Sequence, residues 1–230
     1  MLPDGDAVRE AVLDALPGLK PGAVVVDMSS SDPAGTQALG LALAKNKVLM
    51  VDAPVSGARF KAKDGTLAIM CGGEKEAFAK VLPALQKMGN QIFHVGPLGA
   101  GHAVKALNNY LGAAGTLAGF EALLIAQAFG LDPGLMLDAI NASTGRNSTT
   151  ARKIPQDVLT GAFASGFKLS LMTKDVGIAA ELARGLKVKT PFLRETLKHW
   201  KAAQKKLPRD ADHTEIYKYQ KKLGGKVRRR

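Results

Sequence analysis

The chain has 230 residues, 46% of them hydrophobic and 23% charged, with a single cysteine and a formal net charge of +12. That length allows one large or two small domains with a real core, and the composition excludes disorder over most of it. One cysteine excludes an internal disulfide framework, and His94, His102, His199 and His213 show no paired spacing of the kind zinc requires.

Met1-Leu2-Pro3-Asp4-Gly5 reads as a loop that follows a strand, and Ala7 to Leu16 as a helix turning Val8, Val12, Leu13 and Leu16 to one face. A strand at Ala23 to Asp27 leads into Ser29-Ser30-Ser31-Asp32-Pro33, where hydroxyl caps and a proline open a helix over Ala34 to Ala44. The apolar run Val48 to Val51 predicts a buried strand that empties into the loop Asp52-Ala53-Pro54-Val55-Ser56-Gly57. A strand at Thr66 to Met70, a helix at Glu74 to Lys87 and a strand at Gln91 to Val95 follow, with Cys71 as a buried, inert thiol. Strands alternating with helices at this spacing predict α/β layers around a largely parallel sheet.

Beyond Gly99 only helices are predicted: Ala103 to Phe129, Pro133 to Asn141, Thr149 to Leu159, Leu171 to Leu186, Pro191 to Lys206 and Thr214 to Leu223. The first is strongly apolar from Tyr110 to Phe129, but Glu121, Gln127 and its many Gly and Ala residues fit a core helix better than a membrane span. With no secretory signal at the N-terminus, the expected compartment is the cytoplasm. From Lys187 onward there are 15 Lys and Arg against 4 Asp and Glu, leaving 17 against 16 in the rest. The basicity therefore sits in the last helices and the tail Lys226-Val-Arg-Arg-Arg230. Such a run is a solvated end more often than a nucleic-acid contact, and no aromatic platform accompanies it. The organisation expected is 1–98 for the α/β part, 99–223 for the helical part and 224–230 for a basic tail.

Chemistry concentrates in two stretches. The carboxyl ends of strands in open α/β sheets are where ligands sit, so Ser56 and the Gly57 amide are placed to bind a small polar substrate. In the second stretch, Gly99 to Asn109, residues three and four apart share a helix face, so Lys105, Asn108 and Asn109 can present an ammonium and two amides together. Lys105 is either solvated in the first turns or held in a cleft ready for proton transfer.

Asp52-Ala-Pro-Val-Ser-Gly57, Gly65-Thr66-Leu67, Gly72-Gly73, His94-Val-Gly-Pro-Leu-Gly-Ala-Gly101, Lys105 with Asn108 and Asn109, and Lys174-Asp175 run in one order from Leu2 to about Tyr219. In this the chain resembles the β-hydroxyacid dehydrogenases, typified by 3-hydroxyisobutyrate dehydrogenase. The resemblance implies a partial Rossmann-type parallel sheet domain followed by an all-α domain of the 6-phosphogluconate dehydrogenase C-terminal type. It implies hydride transfer between NAD or NADP and a small β-hydroxyacid, with Lys105 as catalytic acid/base. Ser56, Gly57, Ala58, Asn108 and Asn109 would bind substrate; Leu2, Pro3, Ser30 and Lys174 would lie on the cofactor side. A homodimer or homotetramer through the helical domain is expected.

Two departures stand out: Ala58 replaces the family's second glycine in Ser-Gly-Gly, and Ala7 replaces a residue that is often polar. The family's Gly-x-Gly-x-x-Gly turn lies roughly sixty residues upstream of the Leu-Pro that is here Leu2-Pro3, so the chain is expected to be an N-terminally truncated member. Gly99-Ala-Gly101-His-Ala-Val104 imitates that turn, but its third glycine is replaced by Val104 and no strand returns after the helix. It is read as a decoy whose glycines let the interdomain helix start close to the cofactor.

Each residue has a plainer reading. Ser56-Gly57 could be a helix N-cap, Asn108 and Asn109 ordinary polarity, and Lys174-Asp175 an exposed ion pair of little weight. Asp52 is expected to cap or hydrogen-bond its own loop. Arg146 and Asn147 mark a turn, with a second substrate contact as the weaker alternative; Phe167, Leu171 and Met172 are core or dimer contacts. A different class of function is a non-catalytic interaction module that touches nucleic acid through the basic tail.

Overall fold

The computed structural model describes residues 1–224, with Ala58, Arg59 and Phe60 described through their backbone alone. The tail assigned to a solvated end or nucleic-acid contact lies outside the described residues. The described chain forms two compact units, Met1–Asn108 with Glu181–Val188, and Asn109–Ala180 with 189–224.

In the first unit, helix α1 (Gly5–Ala15) precedes strand β1 (Val24–Asp27), helix α2 (Pro33–Ala44) and strand β2 (Leu49–Asp52). A short strand β3 (Val55–Ser56) and a short helix α3 (Ala58–Lys63) occupy the stretch expected to be loop. Strand β4 (Leu67–Gly72), helix α4 (Lys75–Leu85) and strand β5 (Gly89–Gly96) complete the layer, and helix α5 (Ala100–Phe129) starts directly after it. The β3 pairing was hidden in the sequence because Pro54 interrupts the run. Pro54 has no N–H to give, yet its carbonyl accepts from Met70 N at 3.0 Å, so the chain stays on the edge of β4 while it bends.

The sheet order is β1-β2-β4-β3, with β5 also on β4. β1 pairs with β2 and β4 with β5 in parallel; β4 runs antiparallel to β2 and β3, meeting β2 only where Asp52 faces Gly72. Alternation along the strands sorts the two faces. Val24, Val26, Leu49 and Val51 pack with Ala77, Phe78, Val81 and Leu85 of α4, whereas Val25 and Met50 pack with Val8 of α1 and Leu39 and Leu43 of α2. Helices on both faces make the layered α/β arrangement that the alternation predicts. Cys71 is fully buried, and burial, with Asp52 nearby, pushes its thiol up to about 11, the inert thiol expected.

The second unit continues α5 and adds α6 (Pro133–Asn141), α7 (Leu169–Gly185), α8 (Pro191–Gln204) and α9 (Ile216–Leu223), with Trp200, Phe120, Leu123, Ile154 and Ile216 fully buried. Thr149–Val158, predicted as an ordinary helix, is π-helical: Leu159 N bonds Ile154 O, five residues back. Periodicity could not show this, because the segment buries residues in both of its halves.

On length and composition alone α5 could cross a membrane. Instead it is tied into the unit by polar groups: Tyr217 Oη donates to Gln127 Oε1 at 3.0 Å and Gln220 Nε2 to Leu117 O at 3.2 Å. The expected core helix is buried on one side only. Ala113, Phe120 and Leu123 are inside, while Leu111, Ile125 and Phe129 are exposed.

Candidate active site

In the first unit, the carboxyl ends of β1 and β2 carry two buried acids, and neither serves its own strand alone. Asp27 accepts from Ser29 N and Ser31 Oγ, both at 2.8 Å, and Ser29 Oγ in turn accepts from Leu2 N at 2.9 Å. The carboxylate thus shapes the loop that displays Ser30, half-buried, next to the exposed Leu2-Pro3. The helix cap expected from the serines is made by Asp32, whose side chain accepts from Gly35 N at 2.7 Å.

Asp52 departs from expectation more sharply. Among the described residues its partners lie outside its own loop. Its Oδ1 accepts from Gly99 N and its Oδ2 from His102 N, each at 2.7 Å, so it caps the start of α5 from about fifty residues away. The Gly99 and His102 amides at this helix start thus face a carboxylate.

The glycines make room for that approach. A side chain on Gly101 would collide with Met70 O and come within 2.8 Å of Asp52 Oδ2, and one on Gly72 would meet Asp52 and Pro97 O. His102, which the sequence reading passed over, is buried in the same cluster. Its Nδ1 lies 2.8 Å from Thr36 Oγ1 and its Nε2 3.6 Å from Asp27 Oδ2. Burial pushes the imidazole down, against the pull of Asp52 and Asp27. The signal available in the sequence was a histidine set between two small residues just inside a helix start.

Ser56 lies half-buried in β3, four residues beyond Asp52. Gly57 adopts φ +139°, a region that suits glycine, and turns the chain out of β3 into α3, with the Ala58 backbone as the first helical residue. On α5, Lys105 is half-buried, Asn108 is exposed and Asn109 is buried. Asn108 and Asn109 therefore do not share one environment, as the paired reading supposed.

In the second unit, Asn109 Nδ2 donates to Asp175 Oδ2 at 2.5 Å. Asp175 is 3% exposed, and Lys174 Nζ lies 3.6 Å from its Oδ1. The plainer reading of Lys174-Asp175 as an exposed ion pair does not hold: the acid is buried and accepts from Asn109. Of the two turn residues, Asn147 is spent within its loop, its Oδ1 accepting from Thr149 N and Thr150 N, while Arg146 is exposed. Met172 is core, whereas Leu171 stays partly exposed.

Comparison with known proteins matches residues 1–96 to the NAD binding domain of 6-phosphogluconate dehydrogenase, and residues 99–220 to the NAD-binding of NADP-dependent 3-hydroxyisobutyrate dehydrogenase. The chain is 39% identical over 177 residues to the 2-(hydroxymethyl)glutarate dehydrogenase of Eubacterium barkeri, covering 77% of this chain and 59% of that one. It is 35% identical to an NAD-dependent L-serine dehydrogenase of Pseudomonas aeruginosa, covering 84% and 67%. Its fold superimposes on a Mycobacterium tuberculosis 3-hydroxyisobutyrate dehydrogenase solved with L-serine, with a TM-score of 0.88 at 28% identity over 96% of this chain and 77% of that one. The chain spans about three fifths of the length of the first curated relatives it matches.

Proposed function

Because this chain belongs to the β-hydroxyacid dehydrogenase family, we propose that it takes part in reversible oxidation of a small β-hydroxyacid with a nicotinamide cofactor. The observation that carries the reading is the anchored amide of Asn109. One helical turn beyond Lys105, it is buried and tied to a buried aspartate beside a second lysine.

As the substrate's hydroxyl-bearing carbon gives up hydride, its hydroxyl proton needs an acceptor, and Lys105 is the base assigned to it. Asn109, with its Nδ2 fixed by Asp175, offers an orientation that does not wander. Ser56 and the amides of Gly57 and Ala58 are assigned to the substrate's carboxylate or hydroxyl, with Asn108 at the margin. The dinucleotide, NAD or NADP, supplies the hydride acceptor. The residues present suit its flank: the Ser29–Ser31 loop, shaped by Asp27, presents Ser30 beside Leu2 and Pro3 at the carboxyl end of β1, where ligands of such sheets lie. Lys174 is assigned to the cofactor side. In this reading 1–98 serves the nucleotide and 99–223 the substrate and self-association, for which the exposed Leu111, Ile125, Phe129 and Leu135 give an apolar surface.

The test is turnover of a panel of small β-hydroxyacids, followed by nicotinamide absorbance with NAD and with NADP, in the chain and in Lys105→Ala. Loss of about 10² to 10⁴ in kcat with substrate binding retained supports the assignment. Cofactor binding without oxidation of any β-hydroxyacid would sink it. The interaction-module reading is not favoured; it would require DNA binding with a steep salt dependence.

A further inference from the structure

We propose that Asp52 is a positioning residue whose carboxylate sets the rotation and axial register of α5, and so places the Lys105 amine. The proposal rests on the reading of Lys105 as acid/base.

Asp52 is fully buried, and both its oxygens are engaged, so it has no surface from which to meet a reactant. What it does meet is the first turn of α5, at two separate amides. One bond to a helix end would leave a swivel; two bonds from two oxygens to Gly99 and His102 fix both slide and rotation. Asp52 is itself immobile, since it pairs with Asp27 on β1 and with Gly72 on β4. The absent side chains of Gly72 and Gly101 let helix and carboxylate close on each other.

Lys105 stands three residues beyond His102, so the clamp and the amine are one turn apart. A helix side chain sits about 5–6 Å from the axis, so a 20° rotation carries it about 2 Å. A displacement of 1 Å at a reacting centre can cost about 10² in rate. The same carboxylate lies four residues before Ser56 along the β2–β3 edge, so one anchor serves both stretches assigned to substrate.

The measurement begins with the unmodified chain. Couplings across the hydrogen bonds from Asp52 Cγ to the amide nitrogens of Gly99 and His102 are expected in its NMR spectrum, and their absence overturns the proposal whether or not any variant folds. Asp52→Asn then keeps the shape but turns an amide NH₂ toward one of the two N–H donors. The expected result is a shifted titration of the Lys105 Nζ signal and a fall in kcat of about 10² with KM within about twofold. Unfolding should remain cooperative, with the Trp200 emission of the second unit unchanged. A merely structural role would lower stability and leave the Lys105 titration and kcat of the folded fraction as they were; that result refutes positioning. If Lys105→Ala turns over normally, the acid/base reading has failed, and Asp52 is judged on the Lys105 Nζ signal alone.

Discussion

Replacing Gly101 by alanine should destabilise the protein, although alanine is the better helix former. In α5 the exchange gains about 0.8–1.0 kcal/mol of helix propensity. Against this, the added methyl lies 2.8 Å from Asp52 Oδ2, 3.0 Å from the Met70 carbonyl carbon and closer still to its oxygen. Neither obstacle can turn aside: one is strand backbone, the other a carboxylate held by two amides. Overpacking costs about 1–3 kcal/mol, and with two obstacles that cannot yield the upper part of that range, about 2–3 kcal/mol, applies, so the net loss is about 1–2 kcal/mol.

Gly112, in the same helix, is the control. A side chain there meets nothing within 4 Å, so alanine should gain its propensity in full. At roughly 2–4 °C per kcal/mol for a chain this long, the two variants should melt about 4–12 °C apart on opposite sides of the parent. Thermal and urea unfolding followed by far-UV circular dichroism measures both. Were Gly101→Ala as stable as the parent, the tight seat of α5 against Met70 and Asp52 would be refuted.

Acid should loosen the second unit through His213, whose imidazole burial, helped by Lys153, pushes down to about 4. Between pH 6.5 and 4 the unfolded chain takes a proton that the folded one refuses, so stability falls as pH drops through that window. Trp200, the single tryptophan, is fully buried and stacks on His213 at 6.5 Å, so its emission reports the loss; His213→Gln should flatten the dependence, and an unchanged acid midpoint would exclude His213 as the trigger. Lys153, pushed down to about 8 by burial and then by Arg152, gives the opposite end of the scale. From pH 8 to 10.5 the unfolded chain holds a proton that the folded one has released, so urea midpoints should rise across that interval and cease to do so in Lys153→Met.

The layers of the first unit were legible because their signals are local: two-residue alternation in Val24–Val26 and Leu49–Val51, and Asp32-Pro33 at a helix start. Lys105 and Asn109 were singled out by helix spacing and family resemblance together. What stayed hidden depends on partners far away in sequence. Nothing near Asp52 announces two amides about fifty residues on, and a carboxylate before Ala-Pro reads naturally as a loop cap. Asp175 could be read as exposed because it follows a lysine, whereas it is buried and accepts from Asn109, 66 residues earlier. His102 was passed over because a lone histidine carries no pattern, and its three neighbours come from three different elements.

The widened turns of Thr149–Val158 bear on how this chain should be aligned with others. A π-helical run holds more residues per turn than an α-helix, so it is the natural place for a past insertion. A homologue one residue shorter there keeps the flanking loop and the chain that follows, and takes up the missing residue by narrowing the turn. Lys153, whose Nζ donates to Thr116 Oγ1 at 2.7 Å, sits within that stretch. A gap at this point would thus mark the loss of one lysine's anchorage to α5, with the fold on either side left standing.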